Sequence, residues 1–290
     1  LQYKIVALET PSSYLHKRGT PNPTVQLLDE NLLRKTFPYL ELKDENSKDK
    51  WKVLEVKSSG TLRTPADSLL TIPNLRLYDE GYYKIIITSK DSYNQEVTLE
   101  QIIFLYKENS NYCKAYEPIW LNVDKGTAEP GEKIKILVGS YLQNAWVWFE
   151  IISNDTVLKS EWLKLDKGRL TYQFEVKEEH RGNLIFNTYL GNSNYIYSQS
   201  ATVAIPFTNK KLDYEFITFR DNLLPGEQEE WKIKVKGYKG EKLASELLCS
   251  MYDSSLDLFK SNRFYFNVDY LNKNPFNCNL RNNTHYLSSN

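Results

Sequence analysis

Residues 224–236 pass from a Leu-Pro-Gly-Glu turn into strict alternation, with Trp231, Ile233 and Val235 on one side and Lys232, Lys234 and Lys236 on the other. A two-residue period of this kind is the mark of a strand with one face turned to a core. The same design occurs earlier, where Pro130, Gly131 and Glu132 lead into Lys133-Ile134-Lys135-Ile136-Leu137-Val138. The turns at Pro130 and Pro225 are 95 positions apart (225 minus 130), close to the length of one small β-sandwich. Phase is kept as well: Ile136 and Val138 fall where Trp231 and Ile233 fall in the second copy. A slip of one residue would turn the buried face outward, so the shared parity argues for tandem domains built alike. The fold class expected is all-β, tandem antiparallel β-sandwiches, with the third incomplete.

At 290 residues two or three domains are expected, each able to bury its own core. Tyr, Phe and Trp number 21, 12 and 6 against a single Met, which favours strands over helices. No segment keeps a helical period over ten residues. Lys+Arg and Asp+Glu are both 37, so neither a nucleic acid nor a strongly basic partner is called for. No apolar run approaches the roughly 20 residues of a bilayer span, and no membrane contact is expected. The chain starts at Leu1 and residues 3–8 already alternate as a strand, so it is expected to be an internal piece of a longer protein, any signal or anchor lying upstream. Cys113, Cys249 and Cys278 are far apart with no Cys-x-x-Cys pair. One bridge between Cys249 and Cys278 fits an oxidising compartment, and three free structural thiols is the plainer reading.

Four segments are expected: sandwiches over 1–111 and 112–208, a partial sandwich over 209–270, and an irregular tail over 271–290, where Asn is frequent and apolar residues few. In the first, a Pro-rich loop follows the opening strand, 43–50 is a solvated charged excursion, and 51–56 resumes the period of two. Asp79-Glu80-Gly81-Tyr82-Tyr83 reads either as a tyrosine corner, the phenol bonding back to the backbone, or as a plain Asp/Gly turn. Residues 97–106 close that segment. In the second, residues 145–151 form a strand, with residues 170–176 expected as its hairpin-like partner.

Catalytic signatures are missing. His16, His180 and His285 are scattered and read as surface or loop residues. No Gly-x-Ser-x-Gly elbow, phosphate loop or calcium loop occurs. Asp253 and Asp257 suit a capped turn better than a cation. Neither an enzyme nor a cofactor is expected. Asn154-Asp155-Thr156 and Asn282-Asn283-Thr284 are formal glycosylation sequons. Trp146 and Trp148 share one side of a strand: side chains of that size belong in a sandwich core, and the alternative is an exposed platform for sugars.

Phe219 through Glu227, then residues 231–235 and 244–257 (Ala-Ser-Glu-Leu-Leu-Cys-Ser-Met-Tyr-Asp-Ser-Ser-Leu-Asp), resemble the macroglobulin-like domains of bacterial alpha-2-macroglobulins, most closely the cell-envelope members of Bacteroidetes. Arg181-Gly182-Asn183 fits the preceding domain of that type. The resemblance is strong over 118–259 and weak before it. It implies a non-catalytic scaffold in a protein that traps proteases, located in the periplasm or at the cell surface. Its expected partners are proteases and neighbouring domains of the same protein. It also implies that the third segment is of the bait-carrying type, with Lys260, Arg263, Lys273 and Arg281 in a protease-exposed stretch. The thioester motif Cys-Gly-Glu-Gln of that family is absent from this sequence, none of the three cysteines having that context. A string of immunoglobulin-like adhesion or glycan-binding modules is the competing reading.

Overall fold

The computed structural model describes residues 1–17, 29–62, 71–72, 74–192, 195–218, 220, 224, 226–237 and 254–260. The described residues form an all-β, antiparallel protein. Strands β1 (Gln2–Leu8), β2 (Val53–Thr61), β3 (Gly81–Lys90) and β4 (Glu96–Leu105) make one sheet in the order β2-β1-β3-β4. In β1 the apolar residues run consecutively, and both faces of this central strand are covered. Ile5 and Ala7 pack with Tyr78 and Tyr83 on one side, while Val6 and Leu8 pack with Trp51, Tyr82 and Tyr116 on the other. The Tyr83 hydroxyl donates to the Asp79 carbonyl (2.8 Å), which is the bond of a tyrosine corner. One short helix, α1 (Glu30–Thr36), follows an Asp29 cap whose carboxylate accepts from the Asn31 and Leu32 amides. At two turns it is too short to leave a helical period in the sequence, and local capping holds it.

A two-sheet sandwich comes next. Strands β5 (Trp120–Val123), β6 (Lys133–Gly139) and β9 (Arg169–Glu175) form one sheet, in the order β5-β6-β9. Strands β7 (Ala145–Ser153), β8 (Thr156–Leu165), β10 (Gly182–Asn192) and β11 (Tyr195–Ile205) form the other, in the order β11-β10-β7-β8. Between them lie Ile134, Ile136, Val138, Val147, Phe149, Ile151, Leu184, Phe186, Val203 and Ile205, all essentially without solvent contact.

The pairing differs from the expectation in one respect. Residues 170–176 are not the hairpin partner of β7; they lie in β9, which pairs with β6 in the opposite sheet through Ile136 opposite Tyr172. The partner of β7 is β8, joined by the two-residue loop Asn154-Asp155 between the Ser153–Thr156 pair. Both loop residues have positive φ (48° and 63°), as a type I′ turn requires, and that turn's twist matches the strands it joins. The Asn-Asp pair that reads as a sequon is thus also a hairpin signal.

Strands β12 (Asp213–Thr218) and β13 (Lys232–Lys236) form a two-stranded sheet, Tyr214 opposite Val235 and Phe216 opposite Ile233. Ile233 and Val235 are half-buried rather than core, and Trp231 sits half-buried just before β13. Among the described residues the expected packed face is therefore only partly covered.

Candidate interaction surface

Two turns of equal geometry introduce β6 and β13. In the first, the Glu132 N–H donates to the Glu129 carbonyl (3.1 Å) around Pro130 and Gly131. Gly131 has φ of 91°, the left-handed third position that a type II turn reserves for glycine. The Glu132 carboxylate also turns back to accept from the Glu129 N–H (3.0 Å), which holds its pKa below the usual value, with help from Lys125. In the second, Glu227 N–H donates to the Leu224 carbonyl (3.1 Å), its carboxylate accepts from the Leu224 N–H (3.2 Å), and Gly226 has φ of 83°. Pro225 lies outside the described residues. The glutamate of each turn thus closes it by two hydrogen bonds.

Beside the first turn, Arg181 is buried and multiply bonded. Its guanidinium donates to Glu129 (3.1 Å), to Glu178 (2.8 Å), to the Thr208 hydroxyl (2.9 Å) and to the Pro206 carbonyl. One cation thus ties the β6 turn, the 178–180 turn and the chain leaving β11 to each other. This role is structural.

Trp146 and Trp148 face outward. The opposite parity of β7, Val147, Phe149 and Ile151, is the buried one. Trp146 is 54% exposed and Trp162, on β8, is 60% exposed. Trp148 stands directly opposite Trp162, their rings edge-to-face at 5.2 Å, and opposite Tyr189 on its other side. The Trp148 indole N–H donates to Glu150 (2.9 Å). The expectation of a tryptophan core therefore fails: Val147, Phe149 and Ile151 fill the space between the sheets, and Tyr189, Trp148 and Trp162 form an aromatic row across β10, β7 and β8. Trp162 went unnoticed because β8 carries no clean alternation at its start.

Two histidines are buried, contrary to the surface reading. The Nδ1 of His180 accepts from the Lys177 N–H (3.0 Å), and its ring lies against Phe174. His16 stacks on Tyr195 at 4.9 Å and meets the Tyr197 hydroxyl at 2.5 Å. Burial lowers the pKa of both. The folded state therefore prefers neutral imidazole, whereas the unfolded chain takes up protons as pH falls through the ordinary value of 6.5. Stability should accordingly be present above that value and decline as pH falls below it, levelling once the depressed folded pKa is passed. Urea melts at about pH 7.5 and pH 5.5 check this, and His180→Gln should flatten the slope. A stability that rises toward pH 5.5 would contradict it.

Cys113 is packed against the end of β6, where a Cβ built on Gly139 would lie 2.7 Å from its Sγ. Burial pushes its thiol up to about 11, so it stays protonated near neutrality and is no nucleophile. Among the described residues no group of three or more His, Cys, Asp or Glu could hold a metal ion, and no helix is long and apolar enough to cross a membrane. Cys249, Cys278, His285, Asp253, Arg263, Lys273, Arg281 and the second sequon lie outside the described residues. Described residues resume at a 3-10 turn, Ser254–Leu258, followed by Phe259 and Lys260. Leu258 and Phe259 are 88% and 89% exposed, two large apolar side chains offered to solvent side by side.

Residues 119–258 match the alpha-2-macroglobulin bait region domain. The match opens at Ile119 in the sandwich core and ends within the exposed turn. It supports an alpha-2-macroglobulin-like protein, and its bounds fall within one residue of the stretch over which the sequence carries that resemblance. The cryo-EM reconstruction of the native conformation of E. coli alpha-2-macroglobulin is a similar solved structure, 16% identical, covering 66% of this chain at a TM-score of 0.31. The chain spans 12% of that alpha-2-macroglobulin's length. No curated protein gives a match.

Proposed function

We propose that this chain is a non-catalytic segment of an alpha-2-macroglobulin of the bacterial, Bacteroidetes type, serving as scaffold for protease inhibition in the periplasm or at the cell surface. The match of 119–258 to the bait region domain carries the reading. The division proposed is a first macroglobulin-like domain over 1–111, a second over 112–208, a partial one of the bait-carrying type over 209–270 and an irregular tail over 271–290. The partners are then proteases and neighbouring domains of the same protein. Attacking proteases would meet the stretch that begins at the exposed Leu258, Phe259 and Lys260 and holds Arg263, Lys273 and Arg281. The protonated thiol of Cys113 suits a scaffold and not covalent capture. Limited proteolysis with enzymes of unrelated specificity is the test. First cuts within 254–290, ahead of the exposed loops at 91–95 and 154–155, are expected; a resistant 254–290 overturns the reading.

A second reading has its own observation. The outward row of Tyr189, Trp148 and Trp162, with Trp146 beside it, exposes Trp146 and Trp162 to solvent and leaves Trp148 and Tyr189 half-buried, flanked by the polar Glu150 and Lys164. Such rings stack on the apolar faces of sugars, so a glycan-binding role is proposed as the alternative. A glycan array followed by tryptophan-fluorescence titration decides it. Saturable binding lost in Trp148→Ala, with the melt unchanged, supports it; no binding to any glycan rejects it.

A further inference from the structure

The first sheet and the sandwich are joined by far more than the connecting chain. Arg169, at the start of β9, and Glu80, at the turn before β3, form an ion pair at 3.2 Å with side-chain exposures of 1% and 6%. The other terminal nitrogen of Arg169 donates to the carbonyls of Lys107 (2.6 Å) and Glu108 (2.9 Å), the second and third residues after β4. The guanidinium therefore grips both ends of the β3–β4 hairpin from the sandwich side. Close by, where Tyr82 follows Glu80 by two residues, Tyr116 is threaded into the first sheet. Its amide donates to the Tyr82 hydroxyl (2.8 Å), and its own hydroxyl accepts from the Leu15 N–H (3.3 Å) and donates to Asn46 (2.8 Å). Trp51 and Tyr141 lie edge-on to its ring, both at 5.1 Å. Further bonds run from Tyr141 to Pro11 and from Asn122 to the Tyr106 hydroxyl.

Neighbouring domains in one chain move relative to each other by default unless a large, well-packed interface prevents it. Here a buried ion pair and the aromatic cluster beside it seal the joint, and the bonds from Tyr141 to Pro11 and from Asn122 to Tyr106 attach the two parts at further points, which opposes both bending and twisting. We propose that the first sheet and the sandwich move as one rigid body, with Arg169 as the latch that locks the joint. A displacement started at either part would then be transmitted to the other without slack. The inference stands on the joint's geometry and is independent of the function proposed above.

Residual dipolar couplings of backbone amides in a weakly aligning medium test it on the full 290-residue chain. Amides of β1–β4 and of β5–β11 should fit one alignment tensor. Two tensors of different magnitude or orientation would overturn the proposal. In Arg169→Ala, with cross-strand contacts of both parts retained, the couplings should separate into two tensors. A single tensor persisting in that variant would overturn the assignment of Arg169 as the latch. Should the variant fail to fold, the wild-type couplings still decide whether the two parts are one body.

Discussion

Phe149→Ala is expected to lower the unfolding free energy by about 3–5 kcal/mol, the usual cost of truncating a buried aromatic side chain. Phe149 has no solvent exposure and lies where the two sheets of the sandwich meet. Its ring touches Tyr172 of β9 at 5.2 Å and runs parallel to Phe186 of β10 at 6.4 Å. Truncation would leave a void between sheets held apart by rigid strands on every side, so collapse around it is restricted. Denaturant melts read the change, and Trp148→Ala on the same strand is the internal control. That side chain points the other way and should cost much less. Near-equal losses for the two would mean that the inward parity of β7 has been assigned wrongly.

Arg169→Met is expected to cost a similar amount, about 3–5 kcal/mol, for a different reason. Removing the guanidinium leaves the Glu80 carboxylate buried with its cation gone, and takes a donor from the carbonyls of Lys107, which keeps the Ser110 N–H, and Glu108. The pair itself contributes far less than its loss suggests, since both charges had to be taken out of water. Arg169→Met combined with Glu80→Met should therefore recover most of the stability lost by the single change. A double-mutant cycle by urea melts gives the coupling. Equal losses for single and double variants would place the defect in packing rather than in the stranded charge.

The Pro-Gly-Glu turns were legible without coordinates because their requirements are local: proline at one position, a left-handed glycine at the next, then a carboxylate that closes the turn. Strands over 3–8, 97–106, 145–151 and 231–236 were legible as well, though only the last carries a clean period of two; in the first the apolar residues run consecutively because both faces are covered. The Tyr83 bond to Asp79 also spans only four residues. Helix α1 was not legible, since seven residues cannot show a period of 3.6 and only the Asp29 cap marks it.

The aromatic row shows where reading by parity stops. Both faces of β7 carry large apolar side chains, Trp146 and Trp148 on one and Val147, Phe149 and Ile151 on the other. Alternation separates the two sets but does not say which is inside. That is decided by what the facing sheet supplies: Ile134, Ile136 and Val138 of β6 meet the Phe149 side. The same limit applies to partners, because β9 and β8 both follow β7 closely and only the Asn154-Asp155 turn selects β8.

The sequence by itself determined the antiparallel, all-β class, the repeated turn-and-strand design, the absence of catalytic signatures and the likeness over 118–259. These depend on residues near one another along the chain. Only the tertiary structure decided which way the tryptophans face, that β9 crosses to the other sheet, and that Arg169 meets Glu80 across 89 positions. Contacts at that separation arise when independent strands have packed, and a charged residue met alone in a sequence carries no mark of the partner it will find.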